Sequence, residues 1–88
     1  MKYQIVYTQG YIKQFSKLDK QVQLNVNNWI KKHILSSEDP RNYGKPLEGN
    51  FKDYWRYRIG DYRLLVKIVD DKAIIFAIKI GHRKEIYK

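Results

Sequence analysis

Residues 2–7 alternate, with Tyr3, Ile5 and Tyr7 on one side and Lys2, Gln4 and Val6 on the other. That period predicts a short strand with one buried face. Thr8 is placed to cap a helix, and Tyr11, Phe15 and Leu18 fall at i, i+4 and i+7, a helical stripe. Asp19 restarts the pattern as a second N-cap. Val22, Val26, Trp29 and His33, thickened by Ile30 and Ile34, make the longer apolar stripe of a second helix. Neither helix can bury its stripe alone, so two helices with almost no linker are expected to fold back as a hairpin. The stretch 36–50 holds both prolines and two of the five glycines, which predicts a loop with an extended approach at Lys45 and Pro46.

From Tyr54 onward the pattern is that of sheet. Ile59-Gly60-Asp61-Tyr62 reads as a two-residue hairpin turn, with Gly60 supplying the unusual backbone angles. This turn sets position 58 against 63 and 56 against 65. The next connection has two readings. A two-residue loop at Asp70 and Asp71 puts Ile74, Phe76 and Ile78 with the arginines; a three-residue loop, Asp70–Lys72, reverses them. The three-residue loop collects Trp55, Tyr57, Ile59, Tyr62, Leu64, Val66, Ile68, Ile74, Phe76, Ile78 and Ile80 on one face. Register follows the face that can be buried, so this arrangement is the expected one. It predicts Trp55, Tyr57 and Phe76 packed against Phe15, Val26 and Trp29. The expected fold is α+β: a small twisted antiparallel sheet carrying an N-terminal helical hairpin on one face, β-α-α-β-β-β, as a single domain over residues 1–88.

Composition narrows the chemistry. The 88 residues contain no cysteine, which removes disulfides, thiolate metal sites and thiol nucleophiles. Two histidines do not make a histidine-rich metal centre. No cofactor is expected. No apolar run approaches the roughly 20 residues of a membrane span, and the N-terminus lacks a signal-peptide pattern, so a cytoplasmic location is expected. Charge is the larger signal: 18 Lys and Arg against nine Asp and Glu, a net +9. Four of the five arginines (Arg56, Arg58, Arg63, Arg83) lie in the second half, whereas the first half is basic almost wholly through lysine. The arginine fork matches phosphate oxygens. A polyanionic partner is expected, nucleic acid ahead of a membrane surface.

The hairpin register sharpens this. Arg58 and Arg63 become cross-strand neighbours, with Arg56 two residues away on the same face, and like charges set opposite one another in a sheet are destabilising. Such stacking suits phosphate binding. The same face is expected to carry Leu65, Val69, Ala73, Ile75 and Ala77, too apolar to stay in water, and so to be covered by bases or a protein segment. Gly81 is expected to end the last strand. His82 has the range for proton transfer near neutral pH, and Tyr87 the ring and hydroxyl to stack or orient. His33, on the helical stripe, reads as a core-edge residue. No dinucleotide, Walker, zinc or Ser–His–Asp pattern is present.

The runs Lys45-Pro-Leu-Glu-Gly-Asn, Tyr54-Trp-Arg-Tyr-Arg-Ile-Gly-Asp-Tyr-Arg-Leu-Leu and Ile80-Gly-His-Arg-Lys-Glu-Ile-Tyr87 together resemble the RelE branch of the RelE/ParE toxin superfamily. The preceding strand and helices fit as well, so the resemblance spans essentially the whole chain. It implies a toxin of a type II toxin–antitoxin system: a ribosome-dependent, metal-independent endoribonuclease that cleaves mRNA in the decoding site. Its implied partners are mRNA, the ribosome and a cognate antitoxin, acidic and partly disordered when free. The implied site residues are Arg56, Arg58, Arg63, Arg83 and Tyr87.

One position departs from the family. Where relatives carry a lysine as proton acceptor this chain has Arg56, and arginine stays protonated at working pH. Arg56 then reads as a phosphate clamp, and the base falls to Glu48 or His82, near regions that a branch similar to YoeB uses. The implied reaction is attack of the ribose 2′-hydroxyl on its own 3′-phosphate, giving a 2′,3′-cyclic phosphate and a 5′-hydroxyl, with arginines stabilising the developing charge. The competing expectations are a ParE-like toxin that inhibits DNA gyrase by protein contact and a non-catalytic RNA- or ribosome-binding domain.

Overall fold

The computed structural model describes residues 3–36, 38–47 and 53–84. Strand β1 (Gln4–Tyr7) leads into helix α1 (Gln9–Phe15), capped by Thr8, whose hydroxyl accepts from the Tyr11 amide. The same hydroxyl donates to the Ala77 carbonyl at 2.8 Å, fastening the start of the helix to the sheet. Helix α2 (Lys20–Ile30) comes after a short turn, with Asp19 at its N-cap position but making no side-chain cap bond. The helix then widens into a π-helical turn, Lys31–Leu35, closed by the bond from the Ser36 amide to the Lys31 carbonyl.

The remaining strands are β2 (Gly44–Pro46), β3 (Tyr54–Ile59), β4 (Tyr62–Val69) and β5 (Ile74–His82). Their order in the five-stranded sheet is β1-β5-β4-β3-β2. Every pairing is antiparallel except β1 along β5, which is parallel. The extended approach expected at Lys45 and Pro46 is thus a short edge strand on β3. Pro46 is tolerated there because an edge strand need not donate on both sides. Gly44 lies opposite Tyr57, and a Cβ there would sit 2.9 Å from the tyrosine ring, so only glycine lets β2 close onto β3.

The helical hairpin covers one sheet face. Val26, Ile30 and Ile34 from the helices meet Tyr57, Ile59, Leu64, Val66 and Ile68 from β3 and β4, all buried. Trp29 packs edge-on against Tyr57, and the Tyr57 hydroxyl donates to the Pro40 carbonyl, pinning the loop before β2 to the core. The β3–β4 turn is as expected, with Gly60 in the left-handed region at φ 59°.

The face assignment of β5 is corrected. Ile75 and Ala77 are fully buried beneath the helices, whereas Ile74, Phe76 and Ile78 are only half-buried and lie on the opposite side. Two single-residue insertions cause this. Asp70–Lys72 forms a 3₁₀ turn, and Ala73 adds a fourth connecting residue in the left-handed region at φ 51°. That shifts the alternation by one. A β-bulge at Ile78, between the pairs Val66–Ala77 and Leu65–Lys79, shifts it back, so Ile80 is in the core as expected. Of the three aromatics expected against the helices, Tyr57 is there, Trp55 is half-buried beneath Arg41, and Phe76 is on the other face.

Candidate functional site

The sheet face turned away from the helices carries the arginines. Arg58 is directly opposite Arg63, Arg56 opposite Leu65, and Lys45 of the edge strand opposite Arg56. Arg58 is exposed and Arg56 half-buried. Arg63, though it is on the outward face, is only 9% exposed. Its Nη1 donates to the Gly60 and Tyr62 carbonyls, each at 2.9 Å. The turn therefore supplies two carbonyl dipoles to one of the two opposed guanidinium groups, which is how the sheet tolerates the like-charge pair.

Arg83 comes to the same end of the sheet. Strand β5 does not stop at Gly81; Gly81 pairs with Arg63 and His82 with Tyr62, and the Arg83 amide then donates to the Asp61 carbonyl at 2.8 Å. Arg58, Arg63 and Arg83 thus surround the Gly60–Asp61 turn, with Arg56 one strand repeat further in. His82 is not on this face. Its register partner Tyr62 belongs to the helix-facing side with Leu64 and Ile80, and the two rings meet edge-on at 5.7 Å. The Lys84 amide donates to His82 Nδ1 at 3.2 Å. Glu48 and Tyr87 lie outside the described residues. His33 is at the core edge, its ring between Trp29 and Tyr43 and its Nδ1 bonded to the Trp29 carbonyl.

Beside the arginines the same face is apolar. Leu65 and Val69 are there as expected, while Ala73, Ile75 and Ala77 give way to Ile74, Phe76 and Ile78. Val6 of β1, opposite Phe76, extends the patch and is 41% exposed. A basic, partly apolar surface of this kind binds a phosphate chain with attached bases or an acidic amphipathic segment.

At the far end of the sheet stands a cluster that the sequence pattern does not announce. Arg41 grips Asp70 through both nitrogens, Nη1 to Oδ1 at 3.0 Å and Nη2 to Oδ2 at 2.8 Å, and the Tyr3 hydroxyl donates to the same Oδ1 at 2.6 Å. The guanidinium also lies over the Trp55 ring, 5.5 Å from its centre. The bonds from Arg41 and then Tyr3 hold the Asp70 carboxyl below the usual carboxylate range, and Asp70 in turn pushes the Tyr3 phenol up. No sequence period relates residues this far apart. Among the described residues no three His, Cys, Asp or Glu come together to hold a metal ion, and no helix is long and apolar enough to cross a membrane.

A family model described as ParE toxin of type II toxin–antitoxin system, parDE, matches residues 5–87 of the chain. Toxin RelG of Mycobacterium tuberculosis is 35% identical over 52 residues, 59% of this chain and 60% of that protein, so less than two thirds of RelG is spanned. A RelE-like toxin protein of Escherichia coli is 27% identical over 86 residues, 96% of this chain and 86% of that protein. The toxin–antitoxin complex RelBE2 of Mycobacterium tuberculosis contains a chain of the same fold, with a TM-score of 0.79 at 23% identity, covering 94% of this chain and 100% of that one.

Proposed function

The chain belongs to the ParE toxin family of type II toxin–antitoxin systems, within the RelE/ParE superfamily, and from that premise we propose that it is the toxin that cuts mRNA on the ribosome. The observation that carries the reading is the gathering of Arg58, Arg63 and Arg83 around one turn, with Arg56 beside them, on a face that no carboxylate of the paired strands shares. In this reading Arg58 and Arg83, both exposed, grip the phosphate at the cleaved bond. Arg63 is held by the turn carbonyls and fixes the field they work in. The ribose 2′-oxygen attacks the adjacent phosphorus, the hydroxyl proton passes to a base, and the bond to the 5′-oxygen of the next nucleotide breaks as that oxygen takes up a proton, from the protonated base or from water, to leave as a 5′-hydroxyl. His82 faces the helices, so we assign that base to Glu48, with Tyr87 positioning the RNA. The ribosome supplies the substrate orientation. An acidic antitoxin covers the arginine and apolar face when the toxin is silent, and the setting is the cytoplasm.

Incubating the purified chain with programmed ribosomes and mapping RNA 5′ ends tests this. New 5′-hydroxyl ends that appear only with ribosomes support it; intact mRNA contradicts it. The ParE family model favours a second reading, gyrase inhibition through a protein contact on the Val6–Phe76–Ile78 patch. Loss of DNA supercoiling with intact mRNA would select that reading instead.

A further inference from the structure

The far side of the Tyr62–His82 pair opens into a pocket that the arginine site does not use. It has a volume of about 620 Å³ and lies between the end of α1 and the end of β5, lined by Gln14, Lys17, Leu18, Tyr62, Ile80 and His82 among others. Its side chains offer several donors, Lys79 among them. Gln14 spends its Oε1 on the Ile80 amide at 3.0 Å, which leaves the Nε2 hydrogens for a ligand. The Lys84 amide occupies His82 Nδ1, so the neutral ring carries its proton on Nε2, again a donor. Lys17 is exposed and forms no ion pair among the described residues. Among those residues no carboxylate lines the pocket. The Tyr62 and His82 rings, edge-on at 5.7 Å, give it an aromatic wall.

A lining rich in donors, with an aromatic wall, fits one nucleotide: phosphate oxygens accept from Lys17, Gln14 and His82, and the base lies against a ring. The position of the pocket matters as much as its chemistry. His82 and Arg83 are consecutive, and Gly81 on the arginine side pairs with Arg63. A single RNA strand crossing the end of β5 passes from one site to the other. Resting on the RNA reading above, we propose that this pocket is a second RNA subsite, holding a nucleotide that flanks the cleaved bond, with His82 a binding residue.

The test measures affinity of the isolated chain for a five-residue uridine RNA, without ribosomes, at fixed salt. Because a chain of +9 attracts any RNA, Lys17→Glu is compared with Lys32→Glu, the same change of charge at an exposed lysine outside the pocket. We expect Lys17→Glu and His82→Ala each to weaken binding about tenfold, as a lost charge-assisted or stacking contact does, and Lys32→Glu to weaken it less than about threefold. In the unmodified chain the RNA should also shift the His82 ring resonances. Equal losses for Lys17→Glu and Lys32→Glu, or unshifted His82 resonances, overturn the proposal. The nuclease reading fails separately. Intact mRNA on ribosomes together with a Lys17-specific loss would retire the nuclease and keep the pocket only as an RNA-binding site, overturning its place beside a cleaved bond, whereas cleavage without that loss would retire the subsite alone.

Discussion

At the residue scale the two opposed arginines divide their duties. Arg58 is exposed and faces only a like charge across the strands, so Arg58→Ala should leave the melting temperature unchanged or raise it by relieving repulsion. Its cleavage rate should fall on the order of 10²–10³, the cost of an oriented donor at a developing negative charge. Arg63→Ala should lose cleavage and stability together. It removes two bonds from a charged donor to the turn, and a loss of about 2 kcal/mol is expected. Thermal unfolding of the two variants beside their single-turnover rates separates these roles; equal melting temperatures would contradict the buried assignment of Arg63. The Arg58–Arg63 contact was legible in the sequence because a two-residue glycine turn leaves the register no freedom. The burial of Arg63 was not, because nothing local says that a side chain will fold back onto the carbonyls of its own turn. The placement of His82 was missed for a related reason: Gly81 reads as a strand end, yet β5 runs through it.

At the element scale the lesson is β5. The run Ile74-Ile75-Phe76-Ala77-Ile78 is apolar throughout, so alternation carries no information, and the face is decided by Ala73 in the connection and by the bulge at Ile78. Strands β3 and β4 alternate cleanly, and their faces were read correctly. Ile75→Ala should therefore cost about 2–5 kcal/mol, the range for emptying a buried aliphatic site. Phe76→Lys, on the half-open face, should cost far less. Urea unfolding of both decides the register, and the reverse ranking would restore the three-residue loop. The clasp of Arg41, Asp70 and Tyr3 gives a pH signature. The Asp70 carboxyl is lowered in the folded state, so its contribution is complete above the ordinary carboxylate value and is lost as pH falls through the lowered one. Asp70→Asn should flatten that part of the acid limb of the stability curve and leave the neutral region with a constant deficit. An acid limb identical to that of the parent chain would show that the clasp contributes nothing.

At the scale of the whole molecule, a net charge of +9 surrounds a sheet face that is half basic and half apolar. The charge and the helical hairpin were legible from composition and period. The apolar patch was legible as a surface but with the wrong β5 residues in it. Capture of an acidic antitoxin by this face should weaken as salt rises, because part of the attraction is between charges that ions screen. Affinity indifferent to salt, in a titration from low to high ionic strength, would mean that the apolar patch alone carries the contact. The arginine end of the sheet is expected to cut RNA. The most direct measurement is single-turnover cleavage of mRNA on purified ribosomes by the parent chain and by Arg83→Ala, read as the appearance of 5′-hydroxyl ends. Cleavage by the parent chain and a loss on the order of 10²–10³ in rate for Arg83→Ala are expected; equal cleavage by the two, or none by either, would rule the arginine site out.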